Sequence, residues 1–339
     1  MDIRENYSLK LYNTFGIEAK AKYFAEVSTL QDLKNILSFR RENNLPILFI
    51  GGGSNMLFVN DFSGIVLKLN LKGIDILNED EEYVYVHAQG SENWHQFVQW
   101  TLMQDFGGLE NLSLIPGNVG TAPMQNIGAY GVEVKDYITE VQTLDLDTGK
   151  ERIFKNEDCN FGYRESIFKN ELKGQYVLVG VTFKLTKNNH VLHIDYGAIK
   201  SELEQEQVIS PTIQDISAAV IRIRESKLPD PSQIGNSGSF FKNPVITDAE
   251  FDEIIKNNPD ISYYKTDTGV KLAAGWLIEH AGWKGKRFGD AGVHDKQALV
   301  LVNYGNATGK EIYDLSQQII DDVQSKFGVT LTREVNIIQ

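Results

Sequence analysis

The sequence predicts an α+β protein that contains more than one domain. Its 339 residues exceed what one hydrophobic core usually organises, so two or three domains are expected. Predicted strands and amphipathic helices follow one another along the chain, and neither an internal repeat nor a low-complexity segment interrupts them. Apolar residues make up 42% of the chain and charged residues 23%, which is typical of a globular protein.

The N-terminal region predicts a β-α-β unit. Residues 19–27 have the pattern of a strand, and residues 47–50 form a short apolar strand. Between them, apolar residues recur at helical spacing at Leu30, Leu33, Ile36 and Leu37. Ser28 is the expected N-cap of this helix, Gln31 would complete a capping box, and Pro46 marks the end.

A glycine-rich loop follows the second strand. It consists of Gly51, Gly52, Gly53, Ser54 and Asn55. A dinucleotide-binding fingerprint would need a third glycine at the position of Met56 and then a helix, whereas residues 56–59 predict a strand. Two interpretations stay open, a tight turn or a nest of backbone N–H groups that binds an anion. Three glycines followed by Ser-Asn exceed what a turn needs, which favours the nest.

The remaining elements follow from the spacing of apolar residues. Strands are predicted at residues 65–69, 83–88, 138–146, 176–185, 297–302 and 329–338. Helical stripes are predicted for Trp94, Phe97, Val98, Thr101 and Leu102, for Ile213, Ile216, Val220 and Ile223, and for Ile312, Leu315, Ile319, Val323 and Phe327. A further helix is predicted over residues 272–281. Thr247 with Glu250 and Thr308 with Glu311 form capping boxes, and Gly328 predicts a helix end.

A second glycine-rich region spans residues 114–133. It holds four glycines and two prolines in one irregular stretch. A compact domain rarely keeps a loop of this length without a use for it. Small residues such as Gly117, Gly120 and Gly128 allow a flat or phosphorylated ligand to lie against the backbone. Together with the first loop, this region predicts a large ligand that contains a pyrophosphate.

The stretch from residue 235 to residue 244 combines glycines, small polar side chains and two phenylalanines. Pro229 and Pro231 hold the residues before them extended. Between residues 220 and 242, four basic residues outnumber two acidic ones, although the whole chain has a net charge of −13. The stretch is either a surface turn beside a buried strand or a loop that presents polar side chains to a phosphate or carboxylate.

Composition also excludes several classes of protein. The net charge of −13 opposes general nucleic-acid binding, which needs a basic face. No apolar run reaches membrane-spanning length, the N-terminus lacks a signal-peptide block, and Cys159 is the single cysteine. These features predict a soluble protein of a reducing cytoplasm. No H-E-x-x-H or G-x-S-x-G motif occurs, so no metal site is expected and Ser239 is interpreted as a hydroxyl donor rather than a nucleophile.

Two charged residues have alternative interpretations. Arg164 follows Phe-Gly-Tyr, which favours an inward side chain that could bind a carboxylate, although most arginines are surface charges. Glu334 alternates with the apolar residues of the predicted strand at 329–338 and so points to the opposite face. A lone acid there is usually solvated, and it becomes functional only if that face lines a cleft.

These motifs resemble the UDP-N-acetylenolpyruvoylglucosamine reductases, the flavoenzymes of bacterial cell-wall precursor synthesis. The resemblance covers nearly the whole chain. The matching segments are residues 13–16, 51–55, 115–133, 163–168, 227–243 and 271–278, together with Glu334. The segment at 235–244 is highly specific to the family, whereas a triple glycine alone would be weak.

The resemblance implies a fold and a reaction. The implied fold is an FAD-binding fold of the vanillyl-alcohol-oxidase (PCMH) type with two subdomains, residues 1–70 and 71–226, the first completed by a C-terminal strand at 328–339. Residues 227–327 would form a C-terminal α+β substrate-binding domain. The implied reaction moves a hydride from NADPH to non-covalently bound FAD and then to the enolpyruvyl group of a UDP-sugar, giving UDP-N-acetylmuramate. A cytoplasmic monomer is expected.

The resemblance also implies residue roles. Ser239 resembles the proton donor, and Arg164 and Glu334 resemble its two catalytic companions. The substrate-binding positions are Tyr163, Tyr196, Lys227, Asn243 and Gln297. The cofactor-binding positions are Gly51, Gly52, Gly53, Ser54, Asn55, Pro116, Gly117, Gly120, Thr121, Gln125, Asn126, Gly128, Ala129 and Gly131. Tyr196 with Gly197 matches the tyrosine-lid (type I) branch of the family.

Two positions depart from the family pattern. Gly52 stands where members often carry an acid, and Asn118 stands where another small residue is common. Both departures concern flavin contacts and leave the catalytic assignments unchanged. Two rival functions remain, another non-covalent FAD oxidase or dehydrogenase of the same fold, and a catalytically silent module that binds a sugar nucleotide.

Overall fold

The computed structural model describes residues 2–196 and 198–339, which form two compact units. The first unit contains residues 2–6, 22–52 and the described part of 63–226. The second unit contains residues 7–21, 53–62 and 227–339. Gly197, which belongs to the tyrosine-lid prediction, lies outside the described residues. The chain passes from one unit to the other within the first glycine-rich loop, between Gly52 and Gly53. It does so again at the end of a helix, between Ser226 and Lys227.

The described residues contain helices and strands in nearly every part of the chain. The strands are β1 (Ile3–Ser8), β2 (Lys20–Val27), β3 (Ile47–Ile50), β4 (Met56–Phe58), β5 (Phe62–Leu69), β6 (Ile74–Glu79), β7 (Tyr83–Gln89), β8 (Gly128–Ala129), β9 (Val132–Glu133), β10 (Ile138–Asp145), β11 (Glu151–Lys155), β12 (Tyr176–Thr186), β13 (Gly235–Ser239), β14 (Val245–Ile246), β15 (Tyr263–Thr266), β16 (Gly269–Leu272), β17 (Arg287–Phe288), β18 (Ala291–Val293), β19 (Val300–Asn303) and β20 (Asn336–Ile338). The α-helices are α1 (Leu30–Glu42), α2 (Trp94–Met103), α3 (Ile199–Gln205), α4 (Ile213–Lys227), α5 (Asp248–Asn257), α6 (Ala274–His280) and α7 (Gly309–Phe327).

The predicted β-α-β unit is confirmed by β2, α1 and β3. These strands belong to a sheet with the order β1-β2-β5-β3, in which β3 and β5 run parallel with Ile47 opposite Ile65. The predicted cap was wrong by one residue. Thr29, not Ser28, is the N-cap, and its hydroxyl accepts a hydrogen bond from the Asp32 N–H at 3.1 Å. Because α1 begins at Leu30, Gln31 lies one position too early to close a capping box.

A second sheet in the first unit is antiparallel, with the order β11-β10-β12-β7-β6. Helix α2 buries the predicted aromatic stripe, and the Phe97 ring lies 5.0 Å from the ring of Phe183 on β12. The predicted stripe of α4 is also buried at Ile213, Ile216, Val220 and Ile223. Burial of such stripes is the main stabilising contribution of both helices.

The second unit is built on two small antiparallel sheets, β13-β19-β18-β17 and β14-β16-β15. Helix α7 has the predicted capping box, with the Thr308 hydroxyl accepting from the Glu311 N–H at 3.2 Å, and it ends at Gly328. Helix α5 has the predicted box between Thr247 and Glu250. No helix among the described residues is both long and apolar enough to cross a membrane.

Two stretches differ from the sequence prediction. Residues 235–239 are not a loop but the edge strand β13, which pairs with β19. The register shifts between Asn236, opposite Val302, and Ser239, opposite Val300, so the strand contains a bulge. The C-terminal strand covers only Asn336–Ile338, which pair with the parallel strand β4, whereas Arg333 forms a single isolated bridge with Phe241.

Candidate active site

The first glycine-rich loop joins β3 to β4, so a strand follows it as predicted and the dinucleotide-binding fingerprint is excluded. Gly53 has a φ of +65°, and a Cβ atom there would lie 2.0 Å from the Tyr12 carbonyl oxygen. In the part of the chain that the structure describes, the N–H groups of Gly52, Gly53 and Ser54 donate no hydrogen bond to another protein group. Successive unused donors around a glycine are the features of an anion-binding nest.

The two glycine-rich loops meet within the first unit. A Cβ atom on Gly51 would lie 3.2 Å from the Asn118 side-chain nitrogen, and one on Gly52 would lie 3.7 Å from the Gly117 Cα. The two departures from the family pattern, Gly52 and Asn118, are therefore neighbours. Gly120 allows a close approach of another kind, since its Cβ position is 2.9 Å from the Leu178 carbonyl oxygen.

Asn126 organises the second loop from a fully buried position. Its side-chain nitrogen donates to the Glu133 carboxylate at 3.0 Å and to the Gly162 carbonyl at 2.9 Å. Its side-chain oxygen accepts from the Lys135 N–H at 3.1 Å. Because these bonds use the amide at both ends, the side chain of Asn126 shapes the loop and holds the turn that carries Arg164.

Arg164 points at the second loop rather than into solvent. Its guanidinium donates to the carbonyl of Asn126 at 3.2 Å and to the carbonyl of Gly128, and it lies 5.3 Å from the centre of the Tyr163 ring. Its own backbone has a φ of +58°, which is unusual for a residue with a side chain. A Cβ atom on Gly128 would lie 2.8 Å from this guanidinium, so only glycine allows the approach.

The two predicted substrate tyrosines of the first unit are exposed. Tyr163 is 40% exposed and Tyr196 is 47% exposed, so both rings are accessible from solvent. Tyr196 packs on the second loop, since its Cβ atom lies 3.3 Å from the Cβ position of Gly131. The structure thus brings Arg164, Gly128, Gly131 and Tyr196 to the same loop.

Ser239 ends the bulged strand β13 in the second unit, and Asn236 shapes the bulge. The buried side chain of Asn236 donates to the carbonyls of Pro229 at 3.2 Å and Ile234 at 2.9 Å. Its side-chain oxygen accepts from the Gly238 N–H at 2.9 Å. These bonds set the backbone path immediately before Ser239, which is partly exposed.

Glu334 lies beside the same strand. Its N–H donates to the Phe240 carbonyl at 2.8 Å, and the Lys242 N–H donates to the Thr332 carbonyl at 2.9 Å. Residues 332–334 therefore run antiparallel to residues 240–242. The backbones of Glu334 and Ser239 are therefore joined through one peptide group and a single hydrogen bond.

Asn243 and Gln297 meet at the start of α6. The Asn243 side-chain oxygen accepts from the Ala274 N–H at 3.0 Å, and the Gln297 side-chain oxygen lies 3.2 Å from the Cβ position of Gly275. Lys227 is exposed at the last position of α4. Of the predicted second-unit residues, Asn243 and Gln297 thus lie at the start of α6, and Ser239 and Glu334 lie on adjacent backbone segments.

Comparisons with known proteins point to one family. A model described as UDP-N-acetylenolpyruvoylglucosamine reductase, C-terminal domain, matches residues 230–338, and a model described as FAD binding domain matches residues 21–154. The UDP-N-acetylenolpyruvoylglucosamine reductase of Flavobacterium johnsoniae is 53% identical over 339 residues, and all of both chains is covered. That of Pseudomonas putida is 49% identical over 335 residues, covering 98% of each chain. The chain belongs to the UDP-N-acetylenolpyruvoylglucosamine reductase family.

A solved reductase structure supports the fold. The UDP-N-acetylenolpyruvylglucosamine reductase of Thermus caldophilus matches with a TM-score of 0.69 at 23% identity, covering 100% of this chain and 98% of the other. The predicted α+β class with an FAD-binding region is confirmed. No arrangement of three or more His, Cys, Asp or Glu side chains suited to a metal occurs among residues 2–196 and 198–339.

The structure adds a second arginine to the reductase's loop region, which sequence analysis did not single out. Arg224 on α4 donates from Nε to the Leu114 carbonyl at 3.2 Å and hydrogen-bonds with the Tyr130 phenol. Burial lowers the pKa of Arg224 and raises the pKa of Tyr130. The excess of basic residues between 220 and 242 was the available signal, but it did not distinguish Arg224 from its exposed neighbours.

Proposed function

We propose that this chain reduces the enolpyruvyl group of UDP-N-acetyl-3-O-(1-carboxyvinyl)-glucosamine to give UDP-N-acetylmuramate. It is an FAD-dependent oxidoreductase of peptidoglycan precursor synthesis, with NADPH as the reductant. Full-length identity to curated reductases and the matched FAD-binding and reductase C-terminal regions support this function. The catalytic roles of individual residues are the further content of the proposal.

The two glycine-rich loops offer backbone donors of the kind that suit the pyrophosphate of FAD. The unused N–H groups of Gly52, Gly53 and Ser54 suit the pyrophosphate. Pro116, Gly117, Thr121, Gln125 and Ala129 belong to the adjoining second loop and complete the proposed site. Gly52 lacks a side chain, so no carboxylate opposes a bound phosphate at that position. Bound FAD supplies the hydride chemistry, and the protein supplies orientation and electrostatics.

Three residues of the chain act on the substrate. Hydride addition to the enolpyruvyl group pushes negative charge onto its carboxylate, and Arg164 stabilises that charge as it develops. Ser239 then delivers a proton to the carbon of the enolpyruvyl double bond that did not receive the hydride. An aliphatic hydroxyl is a weak acid, so Ser239 needs a charged group nearby, and Glu334 is the proposed companion.

One observation carries the assignment of Ser239 and Glu334. The Glu334 N–H donates to the carbonyl of Phe240, the residue directly after Ser239. Two residues far apart in the sequence, both assigned to catalytic positions by the family resemblance, therefore lie on adjacent backbone segments. This arrangement of the two backbone segments supports a joint role for the Ser239 hydroxyl and the Glu334 carboxylate.

The UDP-sugar is bound by the remaining polar positions. Lys227 is a cation for the diphosphate, and Asn243 and Gln297 offer amide groups. Tyr163 and Tyr196 contribute exposed phenol rings, with Tyr196 as the lid. The domain division into residues 1–70, 71–226 and 227–327 stays a prediction. It is supported by the reductase C-terminal match, which covers residues 230–338.

The test separates the two halves of the reaction. In Ser239→Ala, reduction of bound flavin by NADPH should stay within about twofold of wild type, while product formation falls about 10²–10⁴-fold because the proton donor is lost. Ser237→Ala is the matched control, because Ser237 lies on the same strand as Ser239 and its hydroxyl donates to the Met56 carbonyl at 3.2 Å. Stopped-flow traces with normal reoxidation of flavin by the enolpyruvyl substrate in Ser239→Ala would remove Ser239 from its role.

Location and assembly are further proposals. A cytoplasmic location is favoured because NADPH and UDP-sugars are cytoplasmic metabolites. The single cysteine, Cys159, is buried, which raises the pKa of its thiol to about 12 and keeps it unreactive. A monomer is expected, and light scattering during size-exclusion chromatography of the FAD-loaded protein tests it.

A further inference from the structure

Arg333 is an arginine to which the proposed mechanism assigns no role, and it directly precedes Glu334. Its side chain docks on helix α7. Nε donates to the Ser316 hydroxyl at 2.8 Å, and Nη2 donates to the Gln317 side-chain oxygen at 2.8 Å. The guanidinium also lies 4.5 Å from the centre of the Tyr313 ring. One guanidinium therefore contacts three side chains of a single helix.

The acceptors on α7 are themselves oriented by hydrogen bonds. The Ser316 hydroxyl is fully buried and donates to the Tyr313 carbonyl at 2.6 Å. The Gln317 side-chain nitrogen donates to the Asp321 carboxylate at 2.8 Å. Because each acceptor has a fixed rotamer, the position of the Arg333 guanidinium is fixed as well. Helix α7 spans 19 residues and is capped at both ends, so it is a rigid support.

Two backbone hydrogen bonds, from the Glu334 N–H to the Phe240 carbonyl and from the Lys242 N–H to the Thr332 carbonyl, hold the chain around Glu334 against residues 240–242. Phe241 and Arg333 form an isolated antiparallel bridge and not part of a longer ladder. Beyond it, regular pairing resumes only at β20. Leu331 and Val335 are buried on the same side of the extended chain as Arg333, so the Glu334 side chain points the other way. An anchor on one side of the chain thus sets the direction of the acid on the other side.

We propose that Arg333 is the positioning residue for Glu334. Its bonds to Ser316 and Gln317 hold residues 332–334 against residues 240–242 and thereby fix the backbone from which the Glu334 side chain extends. The inference rests on the proposed role of Glu334 in the reductase reaction. Arg333 itself faces α7 and has no part in substrate binding.

The experiment compares Arg333→Met, Glu334→Gln and the double variant in the FAD-loaded enzyme. Stopped-flow absorbance follows flavin reduction by NADPH and reoxidation by the enolpyruvyl UDP-sugar separately. In Arg333→Met, reoxidation should slow about 10–100-fold because the Glu334 carboxylate is no longer held in its orientation. Flavin reduction and substrate KM should change less than about threefold. The double variant should reoxidise no more slowly than Glu334→Gln alone, because both changes remove the same positioned carboxylate.

Arg287→Met is the matched control in the same unit. Arg287 lies 4.1 Å from the Tyr304 ring and donates to the Gly289 carbonyl and the Asp290 carboxylate, so it has the same kinds of contacts without a link to Glu334. Its removal should leave both half-reactions within about twofold of wild type. If Arg333→Met does not fold, Gln317→Leu removes one of the two acceptors and should slow reoxidation selectively by a smaller factor.

The outcomes separate the inference from the proposed function. If Glu334→Gln slows reoxidation but the effect of Arg333→Met multiplies with it, Arg333 acts independently and the inference is wrong. Equal slowing of both half-reactions, or an equal effect of Arg287→Met, would show a merely structural role and also overturn it. If wild type does not oxidise NADPH in response to the enolpyruvyl substrate, or Glu334→Gln reoxidises normally, the proposed function or the role of Glu334 fails instead, and the inference falls with it.

Discussion

Replacing Gly53 with alanine tests the geometry of the first glycine-rich loop. Gly53 combines a φ of +65° with a Cβ position 2.0 Å from the Tyr12 carbonyl oxygen, far inside the 3.4 Å of ordinary contact. The mutant must therefore accept a strained backbone and also displace residue 12. Movement there disturbs the two hydrogen bonds that Thr14 donates to the Gly53 carbonyl, from N–H at 3.0 Å and from its hydroxyl at 3.2 Å.

Gly16 provides a matched control for this change. It has the same φ of +65°, but no atom lies within 4 Å of its Cβ position. Gly16→Ala should therefore cost only the left-handed backbone penalty, about 1–2 kcal/mol. Gly53→Ala adds overpacking of about 1–3 kcal/mol. Weakening of the Thr14 hydrogen bonds adds up to about 1 kcal/mol more.

The assay combines stability with cofactor retention. Urea denaturation gives the free energy of unfolding, and each kcal/mol lost should lower Tm by about 2–4 °C for a domain of this size. Flavin absorbance per mole of purified protein should fall in Gly53→Ala, because the displaced loop carries the proposed pyrophosphate donors, and should stay at the wild-type level in Gly16→Ala. Equal unfolding free energies and equal flavin content in the two variants would refute the reasoning.

Two further changes test buried polar groups. Glu110 is 1% exposed, and burial raises the pKa of its carboxyl. The unfolded chain ionises first as pH rises through the ordinary glutamate range, so the free energy of unfolding should fall toward neutral pH. Glu110→Gln should remove that fall, which urea titrations at about pH 5 and pH 8 measure. A stability difference between variant and wild type that does not change with pH would count against this role of Glu110. Asn236→Ala leaves the Gly238 N–H without its acceptor and should cost about 1–3 kcal/mol and lower kcat. An unchanged kcat would show that the bulge does not position Ser239.

Much of the fold could be predicted because it depends on local pattern. The stripe of α2, the capping boxes of α5 and α7, and the strand after the first glycine-rich loop are properties of neighbouring residues, and the structure confirms each. The dinucleotide-binding fingerprint could be excluded for the same reason, since it requires a helix directly after its glycines.

Strand β13 could not be predicted from its own residues. Glycine, asparagine and serine have low strand propensity, and the segment becomes a strand only because β19 supplies hydrogen-bonding partners far along the chain. The prediction of the C-terminal strand was wrong in the opposite way, because it was too long. Residues 329–335 alternate correctly, but they form only an isolated bridge from Arg333 to Phe241, and a regular ladder begins at Asn336–Ile338. In both cases pairing, and not composition, decided the outcome.

The sequence by itself determined the α+β class, the family and the residue types of the site, because these follow from local periodicity and from motifs whose residues are contiguous. Only the tertiary structure decided that Gly51 lies against Asn118, that the Glu334 N–H bonds to the Phe240 carbonyl, and that Arg333 reaches α7. The physical reason is that a hydrogen bond or contact between distant residues depends on the path of the whole chain between them. The residues of the site could thus be named from the sequence, whereas what holds them in place could not.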